Sequence, residues 1–150
     1  MSHEFYLVGL AIFIIYVSAT DFLYRKIKNN ALCVLLLLQC SLSPLDIQVM
    51  SFLLVLGIGL ILYKLIWIGA GDIKYASALS LTIPVHDLIW ALVMMAFSGG
   101  VLVVFYLVKT KLISKILARE TLNDQKGIPY GIAISIGFYL VILTKSTPYI

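Results

Sequence analysis

Residues 51–74 read SFLLVLGIGLILYKLIWIGAGDIK. From Ser51 to Ile68 the stretch is apolar apart from Lys64, and a helix of about 20 such residues crosses a hydrocarbon core of roughly 30 Å. Gly57 and Gly59 lie inside it at a spacing that permits close helix contact. The apolar run then gives way to Gly69-Ala70-Gly71, a carboxylate at Asp72 and a cation at Lys74. Carboxylates are expensive in a bilayer, so an acid placed where an apolar run ends is a functional candidate.

The same grammar repeats on both sides. Apolar stretches cover about Phe5 to Thr20, Ala31 to Leu42, Ile73 to Ile83, Leu88 to Val108 and Ile128 to Leu143, with Gly99-Gly100 central in the longest. The Ile73 stretch is short for a full crossing. Turn signals fall at Ser41-Leu42-Ser43-Pro44 and at Pro84. Hydrophobic residues make up 62% of the chain, charged residues 12%, and the mean hydropathy is +1.07; soluble domains carry about 25% charged residues. The expectation is an all-α, polytopic membrane helical bundle of about six transmembrane helices, forming one domain over residues 1–150. A soluble-type linker, an internal repeat and a low-complexity tract are all lacking in the sequence. Formal charge is +4, which in such a chain bears on topology and anionic lipid before nucleic acid. No nucleic-acid role is expected.

The first stretch resembles a secretory signal around Val17, Ser18 and Ala19, but Met1 to Tyr6 carries Glu4 and no cation, so a retained span is expected. Cys33 and Cys40 lie seven apart on one helix face and are expected to be buried apolar side chains. Short loops rich in Lys and Arg stay cytoplasmic. Arg25, Lys26, Lys28, Lys74, Lys109, Lys111, Lys115, Arg119 and Lys126 all fall in alternate loops, nine of the 11 cations. The other loops carry Glu4, Asp46 and Asp87, with Lys145 near the carboxyl end. The amino terminus is therefore expected outside, and Lys64 snorkels toward the inner face. The basic segment from Lys109 to Lys126 is expected to be solvated or to lie against anionic lipid.

This topology carries Asp21 and Asp72, 51 positions apart, to one membrane boundary and Asp46 and Asp87 to the other. If helices one and four are neighbours, the two carboxylates meet across a water. One ionised acid then acts as base on that water while its protonated partner polarises a scissile carbonyl. Two close carboxylates cannot both ionise readily, so they share a proton. Such chemistry needs no cofactor and no metal. Bland readings stand beside it: Asp72 as the cap of a helix after a glycine turn, and Asp21 as an interfacial partner of Arg25. Lys74 either depresses the Asp72 pKa or snorkels at the boundary. Asn29 and Asn30 are candidate caps of the second helix. His3 and His86 fall at the outer face. Tyr24, Trp67 and Tyr75 are expected as interface anchors at the inner boundary.

Asp21 with Arg25, Ile27 and Asn29, then Gly69-Ala70-Gly71-Asp72-Ile73-Lys74, then Lys126-Gly127-Ile128-Pro129-Tyr130-Gly131 together resemble the type IV prepilin peptidases over nearly the whole chain. The chain is similar to the short branch serving Flp-type tight-adherence pili and to archaeal preflagellin peptidases, and no amino-terminal region with paired C-x-x-C motifs is expected. The resemblance implies peptidase activity without N-methylation, on prepilin-like protein substrates, at the cytoplasmic face of the inner membrane. It makes Asp21 and Asp72 the catalytic pair and Gly69 and Gly71 the glycines of G-x-G-D. Pro129, Tyr130 and Gly131 match a last-helix segment near the site, implying packing or substrate positioning. Many relatives have Ile-Pro-Asn where this chain has Ile27-Lys28-Asn29. A proton- or cation-binding subunit and a presenilin-like intramembrane protease are the alternatives.

Overall fold

Apolar stretches without internal proline become helices, since a backbone away from water must satisfy its own hydrogen bonds. A computed structural model describes residues 2–24, 27–66, 69–116 and 130–146. In it, α1 spans Ser2–Tyr24, α2 Asn29–Leu42, α3 Val49–Ile66, α4 Ala70–Ser80, α5 Val85–Ile116 and α6 Tyr130–Ser146. Among the described residues there is no strand. Each helix overlays one expected stretch. α2 stops where Ser43, extended ahead of Pro44, leaves the helical region. α5 starts on the Pro84 carbonyl, which accepts from the amides of Asp87 and Leu88.

Several expectations are corrected. α5 runs to Ile116, past the expected end at Val108, because the segment from Lys109 to Ile116 contains no breaker. The α2 cap position is Lys28, without a side-chain cap bond, so neither Asn29 nor Asn30 caps the helix. Cys33 and Cys40 share a face as expected, but that face points outward and both thiols are exposed.

Helix α4 is the centre of the bundle. Its residues from Tyr75 to Ser80 are buried, and α2, α3 and α6 pack around it. Gly59 of α3 lies directly against Ile73, while Gly57 faces open space. The amide of Gln48 donates to the Leu81 carbonyl at 2.7 Å, tying the start of α3 to the end of α4. α5 and α6 run antiparallel in close contact: Gly137 sits on the Met95 backbone, and Ser98 Oγ donates to the Ala133 carbonyl at 3.0 Å. Tyr6, Leu10, Leu35, Leu79, Ile83, Phe138 and Ile142 fill the interior.

Polarity is distributed the wrong way round for a water-soluble bundle. Asp21, Gln39, Ser51, Ser77, Ser80, Thr82 and Ser135 are buried, whereas Phe5, Ile12, Ile15, Leu37, Ile61, Phe97 and Phe105 point outward. Among the described residues two helices, Glu4–Tyr24 and Val85–Lys109, are long and apolar enough to cross a membrane. α2, α6 and the Val49–Leu65 part of α3 are apolar but shorter, and α4 has 11 residues, about 16 Å of helix. The fourth expected span is thus a short buried central helix rather than a lipid-facing crossing.

Candidate active site

Asp21 is one turn from the end of α1 and only 6% exposed. A buried carboxylate needs donors, and the start of α6 supplies one: the Gly131 amide donates to Asp21 Oδ2 at 2.9 Å. That amide is among the first N–H groups of the helix, which lack partners within it, and the positive end of the helix favours the anion. The approach requires glycine. A Cβ on Gly131 would lie 2.6 Å from Asp21 Oδ2 and 3.0 Å from its Cγ.

Asp72 occupies the third helical position of α4, after a cap at Gly69 that makes no side-chain bond. Its carboxylate folds back over that turn, 2.9 Å from where a Cβ of Gly69 would stand. Burial first, and the Asp21 carboxylate second, push the Asp72 pKa up to about 6. The two acids therefore feel one another across the end of the bundle, with α2 and α6 each packed on both α1 and α4. At the far end, Lys145 Nζ lies 2.7 Å from Asp87 Oδ2 and His86 Nε2 3.0 Å from the same atom. Gly131 and Lys145 are 14 residues apart along α6, about 21 Å of helix. Asp46 is exposed.

Other expected residues fall as follows. Gly71 is helical, and a Cβ there would meet Ile27 at 3.5 Å, an ordinary contact, so nothing among the described residues demands glycine. Lys74 is exposed and does not depress the Asp72 pKa, which moves upward; two residues on, its side chain leaves α4 on nearly the opposite face. Lys28, which stands where the resemblance led to an expected proline, has φ −72° and ψ 137°, inside the range proline imposes. Tyr130 is 49% exposed. Pro129, Arg25, Lys26, Trp67, Lys126 and the side chain of His3 lie outside the described residues. His86 is exposed, at the far end.

Three residues escaped the sequence reading. Tyr75 is fully buried rather than an interface anchor, and its hydroxyl lies 2.8 Å from Ser135 Oγ. Ser18 Oγ donates to the same oxygen at 2.9 Å, and Ser135 Oγ bonds the Gly131 carbonyl at 2.7 Å. Ser18 is three residues before Asp21, Tyr75 three after Asp72 and Ser135 four after Gly131. A polar side chain one helical turn from each site residue was the available signal. Beside this network, Ile14, Ser18, Ala19 and Phe22 of α1 and Ile132, Ser135, Ile136 and Tyr139 of α6 line an apolar groove of about 540 Å³.

A sequence model of the type IV leader peptidase family matches residues 8–104. The chain belongs to the type IV leader peptidase family. The matched region holds both Asp21 and Asp72, so this leader peptidase carries its paired acids within the part that defines the family, while α6 lies beyond it. No curated protein and no solved structure matches the chain.

Proposed function

We propose that this leader peptidase is a membrane-embedded aspartic endopeptidase, a single domain over residues 1–150, that removes the leader of prepilin-like proteins at the cytoplasmic membrane face. The observation that carries the reading is that the Asp21 carboxylate, 51 positions away in sequence, acts with burial to raise the Asp72 pKa, which supports a coupled pair. Gly69 leaves room for the Asp72 carboxylate, and Gly131 brings the α6 amide onto Asp21. The outward apolar faces, the cations that follow α1 and those from Lys109 to Lys126 in the sequence favour lipid around the bundle and the acids on the cytoplasmic side.

A water held between the acids attacks the carbonyl carbon of the scissile bond. One carboxylate takes the water's proton, and the other acid gives its proton to the carbonyl oxygen. The resulting gem-diol collapses as the first acid protonates the leaving nitrogen, the C–N bond breaks, and the second acid recovers a proton from a diol hydroxyl. The apolar groove adjoining Asp21 offers a wall for the hydrophobic segment that follows a prepilin leader.

The test is leader removal in cells making a tagged prepilin, with mass measurement of the product's new amino terminus. Asp21→Asn and Asp72→Asn should accumulate normally and leave the leader on, while Asp46→Asn, an exposed acid at the other end, should process as wild type. Normal processing by either of the first two variants removes the catalytic assignment. A methylated amino terminus would contradict the expectation of peptidase activity alone.

A further inference from the structure

Ser135 is 2% exposed and joins three helices through one oxygen. It receives Ser18 of α1, pairs with Tyr75 of α4, and bonds the Gly131 carbonyl of its own helix. Gly131 thus has its carbonyl held by Ser135 and its amide, on the preceding peptide group, aimed at Asp21. An amide N–H can only donate, so it complements a carboxylate oxygen and does nothing for a carboxyl proton. Among the described residues Asp72 has no comparable donor, and its side chain folds onto the Gly69 turn.

We propose that Ser135 is a positioning residue which, by fixing the backbone on either side of the Gly131 Cα, makes Asp21 the charged, water-activating member of the pair and leaves Asp72 as the proton-bearing one. This rests on the aspartic peptidase reading and assigns roles within it. Asp21 takes the proton from water as the oxygen bonds the carbonyl carbon, and Asp72 donates to the carbonyl oxygen. On collapse Asp21 protonates the leaving nitrogen and Asp72 is reprotonated from the diol. The upward displacement of the Asp72 pKa has the same sense. Among the described residues, the charged group acting on Asp72 is Asp21, which also acts on Tyr75 of α4. α6 offers the Gly131 amide and Ser135 hydroxyl there; Tyr130, Lys28 and Lys74 are exposed.

The experiment uses the full chain in lipid nanodiscs with carboxyl-labelled aspartate. Asp21→Asn and Asp72→Asn assign the two signals, which are followed by NMR while pH is raised. Asp21 should ionise first, and Ser135→Ala should narrow the separation between the two. In prepilin cleavage, Ser135→Ala should lower kcat about tenfold with KM within about twofold and shift the pH profile, as expected when only transition-state interactions are lost. Ser135→Thr should restore most of it. Tyr75→Phe should act in the same direction, and the double variant with Ser135→Ala should be no worse than Ser135→Ala alone. Ionisation of Asp72 before Asp21, or a folded Ser135→Ala enzyme with wild-type kcat and pH profile, overturns the proposal. Should the wild-type chain cut no leader, the peptidase reading falls, whereas the order of ionisation still decides which acid holds the charge.

Discussion

Gly131→Ala tests how closely α6 must approach Asp21. The added methyl would stand 2.6 Å from Oδ2, 3.0 Å from Cγ and 3.1 Å from Cβ of Asp21. Reaching an ordinary contact of 3.4 Å requires a retreat of about 0.8 Å, the difference from 2.6 Å. Rotation of the carboxylate cannot supply it, because the Asp21 Cβ is crowded as well, so α1 and α6 must separate. α6 has little freedom to do so, since Gly137 rests against the Met95 backbone, whose Cα is 2.6 Å from a would-be Cβ. Separation stretches the 2.9 Å amide bond to the carboxylate beyond hydrogen-bonding range. A hydrogen bond to a charged group is worth about 1.5–3 kcal/mol, and overpacking costs about 1–3 kcal/mol. One displacement relieves both, and alanine gains about 0.5–1 kcal/mol over glycine in a helix. The net expectation is a loss of about 2–3 kcal/mol, with cleavage falling on the order of 100-fold for a near-ångström displacement of a reacting group. Thermal unfolding at fixed lipid composition and prepilin cleavage rates measure the two. Gly100→Ala, whose Cβ would meet nothing within 4 Å, is the matched control and should be neutral or slightly stabilising. A Gly131→Ala enzyme with wild-type melting and cleavage would refute the inferred closeness of α6 and Asp21.

Gly71→Ala should raise stability by about 0.5–1 kcal/mol, because its Cβ meets Ile27 only at 3.5 Å, while slowing cleavage if a substrate strand passes over that turn; unchanged kinetics would remove the close approach there. Asp72→Asn should alter the pH dependence of stability in a defined sense. The Asp72 pKa is raised from 3.8 to about 6, so its contribution is fully present below about 3.8 and lost as pH rises through about 6. The Asn variant should therefore match wild type near pH 4 and melt higher than wild type above about pH 6; parallel stability curves would contradict this. Lys28→Pro suits a backbone already at φ −72° and should stabilise by about 0.4–1 kcal/mol, with destabilisation showing that the Lys28 amide is needed. Lys145→Met removes the closer partner of Asp87 Oδ2 and should cost about 1–3 kcal/mol without changing cleavage chemistry about 21 Å away, as seen in melting and in kcat.

Much of the fold is legible in the sequence. The positions of all six helices followed from where apolar runs meet glycine, proline and charge, because those residues end helices locally. The two acids stood out since few charges occur in the chain, and each follows an apolar run. What misled was orientation around the helix axis. Cys33 and Cys40 were expected inside and face outward; Tyr75 was expected at an interface and is enclosed. In a bundle whose exterior is as apolar as its core, hydrophobicity does not mark the inward face, and only packing partners do.

Composition and local pattern alone determined an all-helical chain, its helix boundaries to within a few residues apart from the far end of α5, and a family resemblance, because these depend on neighbours along the polymer. The tertiary structure alone decided that α4 is the buried centre, that Gly131 delivers an amide to Asp21, and that Ser18, Tyr75 and Ser135 meet at one oxygen. Those contacts join residues 60 to 117 positions apart, and no local propensity encodes which helix faces which across that separation.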